Sequence, residues 1–154
     1  MANTYTQLYI HLVFAVQNRK TLIKSEWKKE LYKYITGIVQ TRGHKLIIIN
    51  GMPDHIHILV GLNPKESISD LVKNIKADSN LYIKESGLNR NNSFSWQEGY
   101  GAFSHSRSQL KEIIQYIETQ EEHHKKMSFM DEYLSFLKNY GIDYNDAYLF
   151  KDLD

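Results

Sequence analysis

Residues 45–62 read KLIIINGMPDHIHILVGL. The run 45–50 has an apolar centre, Leu46 followed by three β-branched isoleucines, Gly51-Met52-Pro53-Asp54 carries turn chemistry, and residues 55–62 form a second, largely apolar run. The segment predicts two antiparallel strands joined as a hairpin. Side chains alternate along a strand, so His55 and His57 share one face while Ile56, Ile58 and Val60 share the other. A strand fixes two imidazoles in one orientation, which suits a cation because neutral imidazole is the commonest protein metal ligand. The same pair reads equally as two half-exposed histidines on a solvated face, since two ligands do not make a site.

Working outward, residues 5–16 (YTQLYIHLVFAV) predict a first strand, closed by the polar Gln17-Asn18-Arg19-Lys20. A helix follows with Ser25 as N-cap and apolar positions at Leu31, Tyr34, Ile35 and Ile38, ending at Gly43. Beyond the hairpin, Ser69 is expected to cap a second helix. Its Val72, Ile75 and Tyr82 fall on one side and its Lys73, Lys76, Asn80 and Lys84 on another. Residues 87–93 form a polar loop, and residues 94–104 (FSWQEGYGAFS) predict a fourth strand weakened by Gly99 and Gly101. A long last helix is expected from about Ser106, with Leu110, Ile113, Ile114 and Ile117 as its apolar stripe. The order β-α-β-β-α-β-α predicts an α+β fold, a ferredoxin-like split βαβ antiparallel sheet with an added C-terminal helix. The aromatic-rich residues 127–154 read as an extension packing on the sheet or on a partner subunit.

The chain has 154 residues, which fits one domain spanning 1–154. It has no cysteine, so disulfides, zinc-thiolate sites and thiol catalysis are excluded. Residues 1–7 lack a basic leader and an apolar signal core, and no apolar run approaches the ~20 residues of a membrane span. The expectation is a cytoplasmic protein without a membrane partner. A net charge of +1 is no global nucleic-acid footprint, so a nucleic-acid partner would have to meet a local basic patch.

The last predicted helix holds a second feature, Tyr116-Ile117-Glu118-Thr119-Gln120. Tyr116 and Gln120 are one helical turn apart and lie off the Ile113/Ile117 stripe, so one face offers a phenol and an amide. Taken alone, such a tyrosine reads as a ring packed at the core edge.

In combination, the histidine pair on a central strand, the element order and the late Tyr-x-x-x-Gln resemble the single-tyrosine HUH transposases of small bacterial insertion sequences. The segments Tyr9-Ile10-His11-Leu12-Val13-Phe14-Ala15, Gly51-Met52-Pro53-Asp54-His55-Ile56-His57 and Trp96-Gln97-Glu98-Gly99-Tyr100-Gly101-Ala102-Phe103-Ser104 are similar to that family. So are residues 67–76 and 116–124. The resemblance spans roughly the whole chain with the motif order kept.

The resemblance implies His55 and His57 as metal ligands, Gln120 as third ligand and Tyr116 as nucleophile. It also implies a homodimer in which the tyrosine helix packs near the histidines of the partner, so that each active site would be built from two chains. A tyrosine nucleophile would retain the cleaved phosphate as a 5′-phosphotyrosine and release a 3′-hydroxyl, and rejoining reverses the step. Free tyrosine has a pKa of about 10, so a nearby cation would stabilise the developing phenolate. Three neutral ligands leave the ion's charge unbalanced, so a divalent ion should bind weakly until DNA phosphate completes the shell, and the resemblance implies magnesium or manganese. Zinc suits the histidines thermodynamically but is not the expected metal.

The expected partner is single-stranded DNA with hairpins at element ends. Lys73, Lys76 and Lys84, with Arg19, Lys20, Arg90 and Arg107, are the candidate phosphate contacts, set against a solvated helix face as the bland reading. Tyr100 and Phe103 are candidates to stack on unpaired bases. His11 reads as a near-site or structural residue. His105 reads as solvent-exposed before a role in proton transfer or DNA contact, and His123 and His124 read as a solvated helix end before an extra ligand or proton carrier. The alternative function is a domesticated hairpin-DNA binder without strand transfer, although a binder gains nothing from a complete catalytic set.

Overall fold

The computed structural model describes residues 3–18, 22–89 and 94–151. Arg19, Lys20 and Arg90 lie outside them. Four strands, β1 (Tyr9–Ala15), β2 (Lys45–Met52), β3 (His55–Gly61) and β4 (Gly101–His105), form one sheet in the order β2-β3-β1-β4. Each neighbouring pair is antiparallel, so β1 and β2 run parallel with β3 inserted between them. This is the ferredoxin-like split βαβ order predicted from the alternation of elements.

The two central strands are covered on both faces, and each face has its own chemistry. Leu12, Phe14, Ile56, Ile58 and Val60 enter an aliphatic and aromatic core with helices α1 (Lys28–Thr41) and α2 (Ile68–Ser86). From those helices come Leu31, Ile35, Val39, Leu71, Val72, Ile75 and Ile83. A fully buried side chain such as Ile56 or Phe14 contributes about 1.5–3 kcal/mol. The opposite face carries His11, Val13 and Ala15 of β1, with Val13 opposite His57 and Ala15 opposite His55. Asn50 and Met52 of β2 complete this face, and Phe103 of β4 pairs with His11. Three helices, α3 (Leu110–Glu118), α4 (Gln120–His123) and α5 (Phe129–Asn139), follow β4, and their side chains meet this face.

The hairpin forms as predicted, with a tighter turn. Gly51 lies inside β2, where a Cβ would come within 2.2 Å of the His55 carbonyl oxygen, so only glycine admits the close approach of the two backbones.

Other boundaries differ from the sequence expectations. The first helix begins at Lys28 after a turn, with Trp27 rather than Ser25 at its N-cap. The second is capped by Ser67, not Ser69. The Ser67 hydroxyl accepts from the Asp70 amide at 3.0 Å, while Ser69 bonds the Tyr100 hydroxyl. The fourth strand starts only at Gly101, because Gly99 takes a φ of +88° and turns the backbone out of the ladder, leaving Trp96 a lone bridge to Val16. The expected long last helix is two, α3 and α4, preceded by a 3-10 turn at Arg107–Gln109, and α5 forms within the aromatic-rich extension. The interruption between α3 and α4 falls at Thr119, whose hydroxyl donates to the Gln115 carbonyl at 2.9 Å and whose backbone leaves helical geometry. A threonine bonding back one turn in this way bends helices.

The C-terminal segment folds against its own sheet. Phe136 stacks on Phe103 at a centroid distance of 5.3 Å, and Phe150 packs on Phe129 and Tyr133. Gln97 ties the end down, accepting from the Lys151 amide at 2.7 Å and donating to its carbonyl at 2.9 Å. Among the described residues, no helix is long and apolar enough to cross a membrane.

Candidate metal and tyrosine site

His55 and His57 are fully buried on β3 and face α3–α5. Each ring is held at Nδ1 by a neighbour. His55 Nδ1 lies 2.7 Å from Asp54 Oδ1, and His57 Nδ1 lies 2.7 Å from His11 Nε2 on the adjacent strand. These contacts fix ring orientation and leave both Nε2 atoms for the interior of the site, the usual outer support of metal-binding histidines.

Opposite the imidazoles stand groups from the helices. Gln120, fully buried, places Oε1 at 3.1 Å from His55 Nε2. Glu132, on α5 and only 2% exposed, places Oε1 at 3.1 Å from His57 Nε2 and 3.3 Å from His55 Nε2. His124 Nε2 lies 3.1 Å from the same oxygen. The second carboxylate oxygen of Glu132 accepts from Gln120 Nε2 at 3.1 Å and from the Tyr116 hydroxyl. Among the described residues, the ligand atoms of His55, His57 and Glu132 all lie within 4.8 Å of one another.

The electrostatics follow from burial and these partners. Burial pulls the pKa of His57 down to about 4, with His55 and His124 adding to the effect, so its ring is neutral near pH 7. Burial acts in the same direction on His55, but Asp54 and Glu132 outweigh it and its pKa is raised. Glu132 would be pushed up by burial, yet His124, His55 and His57 hold it well below the carboxylate range, so it is ionised. Tyr116 is raised well above its ordinary value by burial and then by the hydrogen bond its hydroxyl donates to the Glu132 carboxylate.

A cation fits this donor set. When Nδ1 of His55 donates to Asp54, its Nε2 carries a lone pair that faces two oxygen acceptors, Gln120 Oε1 and Glu132 Oε1. Three acceptors directed at one point are stable only around a proton or a metal ion.

Comparison with known proteins defines the class. The profile of the family described as "Transposase IS200 like" matches residues 4–120, and this chain belongs to that family. It is similar to the ISDra2 transposase TnpA of Deinococcus radiodurans, 28% identical over 74% of this chain and 84% of the relative. It is also similar to the IS200 transposase of Salmonella typhimurium, 27% identical over 81% of this chain and 84% of that one. A crystal structure assigned as a Deinococcus radiodurans transposase superposes with a TM-score of 0.61 at 26% identity, covering 78% of this chain and 95% of the other. A REP-associated tyrosine transposase bound to a REP hairpin shares the fold at a TM-score of 0.55 and 16% identity, covering 76% and 68%. The protein is therefore a transposase of the IS200-like family, an enzyme class that cuts and transfers DNA strands.

The structure gathers some of the predicted residues and separates others. The Tyr116 ring is 6.0 Å from the His57 ring of the same chain, and Gln120 is beside His55. The α2 lysines are elsewhere, since α2 packs in the aliphatic core and the sheet lies between it and the histidines. Lys73 and Lys84 are exposed there. Lys76 is not part of an open stripe, because its ammonium donates to the Gln97 and Gly99 carbonyls and sits 5.3 Å over the Phe14 ring. Arg107 is exposed in the 3-10 turn before α3.

The structure places the remaining candidates as follows. Phe103 is 3% exposed and stacked on Phe136, which leaves it no face for a base. His105 is buried in β4 beside His11 rather than solvated. His124 is turned inward to Glu132, and His123 stacks on Tyr116 at 4.5 Å. Glu132 itself was not among the predicted site residues. Its signal is a lone carboxylate within the helical stripe Phe129, Glu132, Tyr133, Phe136 and Leu137, where an apolar residue is expected.

Proposed function

We propose that this transposase cleaves and rejoins single-stranded DNA at hairpin-bearing element ends through a covalent 5′-phosphotyrosine on Tyr116. The observation that carries the reading is the convergence of Tyr116, His55, His57 and Gln120 in one buried site. The phenolic oxygen forms its bond to phosphorus as the bond to the 3′-oxygen breaks, and the reverse displacement by a 3′-hydroxyl reseals a strand. Energy is conserved in the phosphotyrosine, so no external cofactor has to drive rejoining.

His55, His57 and Gln120 are the residues that would hold a divalent ion, with magnesium or manganese as our assignment. When bound, such an ion polarises the scissile phosphate and stabilises the developing phenolate charge. His11 and Asp54 keep the two imidazoles oriented. Family membership and the hairpin held by a fold neighbour support hairpin DNA as the partner. We take Lys73, Lys84 and Arg107, with Arg19 and Lys20, as phosphate contacts. A homodimer acting in the cytoplasm is the working unit of this reading.

The test is covalent trapping. Wild type and Tyr116→Phe are incubated with labelled single-stranded DNA from the element's own ends, with magnesium or with chelator. A denaturation-resistant adduct that needs metal and disappears in the variant is the expected result. Hairpin binding without an adduct in either protein would instead support the DNA-binding alternative.

A further inference from the structure

We infer that Glu132, on α5 beyond the family-matching residues 4–120, is an anionic ligand of the metal site and positions the Tyr116 hydroxyl with its second oxygen. The inference rests on the metal reading given above and adds a residue to it. One oxygen faces His55 Nε2 at 3.3 Å and His57 Nε2 at 3.1 Å. Ligands about 2.1 Å from one ion stand roughly 3.0–3.4 Å from each other in octahedral or tetrahedral shells, so these separations are those of a coordination edge. The other oxygen takes the hydroxyl of Tyr116 and the amide of Gln120, so the carboxylate joins nucleophile, third ligand and histidine pair.

Charge makes the same assignment. His55, His57 and Gln120 are neutral as ligands and leave a divalent ion uncompensated in a largely buried site, whereas one carboxylate halves that charge. Glu132 reaches the site because Phe129 stacks on His55 at 4.1 Å on one side of it and Phe136 packs against the His57 ring at 6.2 Å on the other. Both contacts place the Glu132 turn of α5 over the metal position. The carboxylate also accepts from Tyr116, so the oxygen that attacks phosphorus is held beside the ligand shell before DNA arrives.

The experiment is titration of the full-length protein with manganese, read by calorimetry, for wild type, Glu132→Gln, Glu132→Ala and His57→Ala. Thermal unfolding is measured in parallel. The amide of Glu132→Gln keeps the side chain's size and one acceptor oxygen while removing the charge. A tenfold or greater loss of manganese affinity in Glu132→Gln and Glu132→Ala supports the assignment, and a smaller loss or any gain overturns it. Unchanged affinity in His57→Ala would instead overturn the underlying metal reading, so the two failures are distinguishable. Should the Glu132 variants not fold, anomalous diffraction from manganese-soaked crystals of the wild type decides. A peak about 2.0–2.4 Å from a Glu132 oxygen supports the assignment, and its absence there overturns it.

Discussion

His11 Nε2 and His57 Nδ1 are 2.7 Å apart across neighbouring strands, both rings buried. A metal-binding Nε2 on His57 requires the proton on Nδ1, so His11 must then accept. Replacing it with phenylalanine fills the space but leaves that donor unpaired. His11→Phe is expected to weaken manganese binding by about 10–100-fold and to cost about 1–3 kcal/mol of stability. Manganese titration and thermal unfolding of the same preparation check both.

Phe136 touches the rings of His11, His57, Phe103 and Tyr116, at centroid distances of 5.4, 6.2, 5.3 and 5.7 Å. Phe136→Ala removes the wall that these groups share. We expect a loss of about 3 kcal/mol in stability. Strand cleavage should slow by more than hairpin affinity falls, because the ring positions Tyr116 and lies away from α2. Single-turnover cleavage beside equilibrium binding separates the two effects.

Lys73 and Lys84 are exposed, whereas Lys76 is tied to two carbonyls. If α2 tracks the DNA backbone, the pair Lys73→Ala and Lys84→Ala should lower the slope of log affinity against log salt by about 1.4–1.8. Thermal stability should be unchanged. Lys76→Met should do the reverse, lowering stability by about 1–3 kcal/mol through unpaired carbonyls while hardly altering the salt slope.

Gly51 leaves no space for a side chain beside the His55 carbonyl. Gly51→Ala must push the two strands apart just before the first histidine. Destabilisation of about 3 kcal/mol is expected, with weakened metal binding in the fraction that folds. Chemical denaturation and manganese titration together test this.

The parts of this fold that were legible in the sequence are those with a simple period. The apolar run 46–49 and the alternation from His55 to Val60 pointed to the hairpin and the histidine face, and the element order then pointed to the sheet. Tyr116 and Gln120 were legible as a spaced pair, but Thr119 bends the chain between them by a side-chain bond that neither glycine nor proline announces. Glu132 was hidden because its aromatic neighbours dominate the pattern of the tail. A carboxylate in an apolar stripe is informative only once one knows which histidines it meets. The lysine stripe misled in the opposite way, since spacing does not reveal that Lys76 bends back to Gln97 and Gly99.

Along β3, isoleucine and histidine alternate so that one backbone serves the aliphatic layer and the imidazole layer at once. A slip of a single residue would send Ile56 and Ile58 toward Tyr116 and drive two imidazoles into the layer beneath α1 and α2. Misregistered chains would thus forfeit chemistry and cohesion in the same step. A chain folded out of register therefore cannot assemble the histidine pair beside Tyr116.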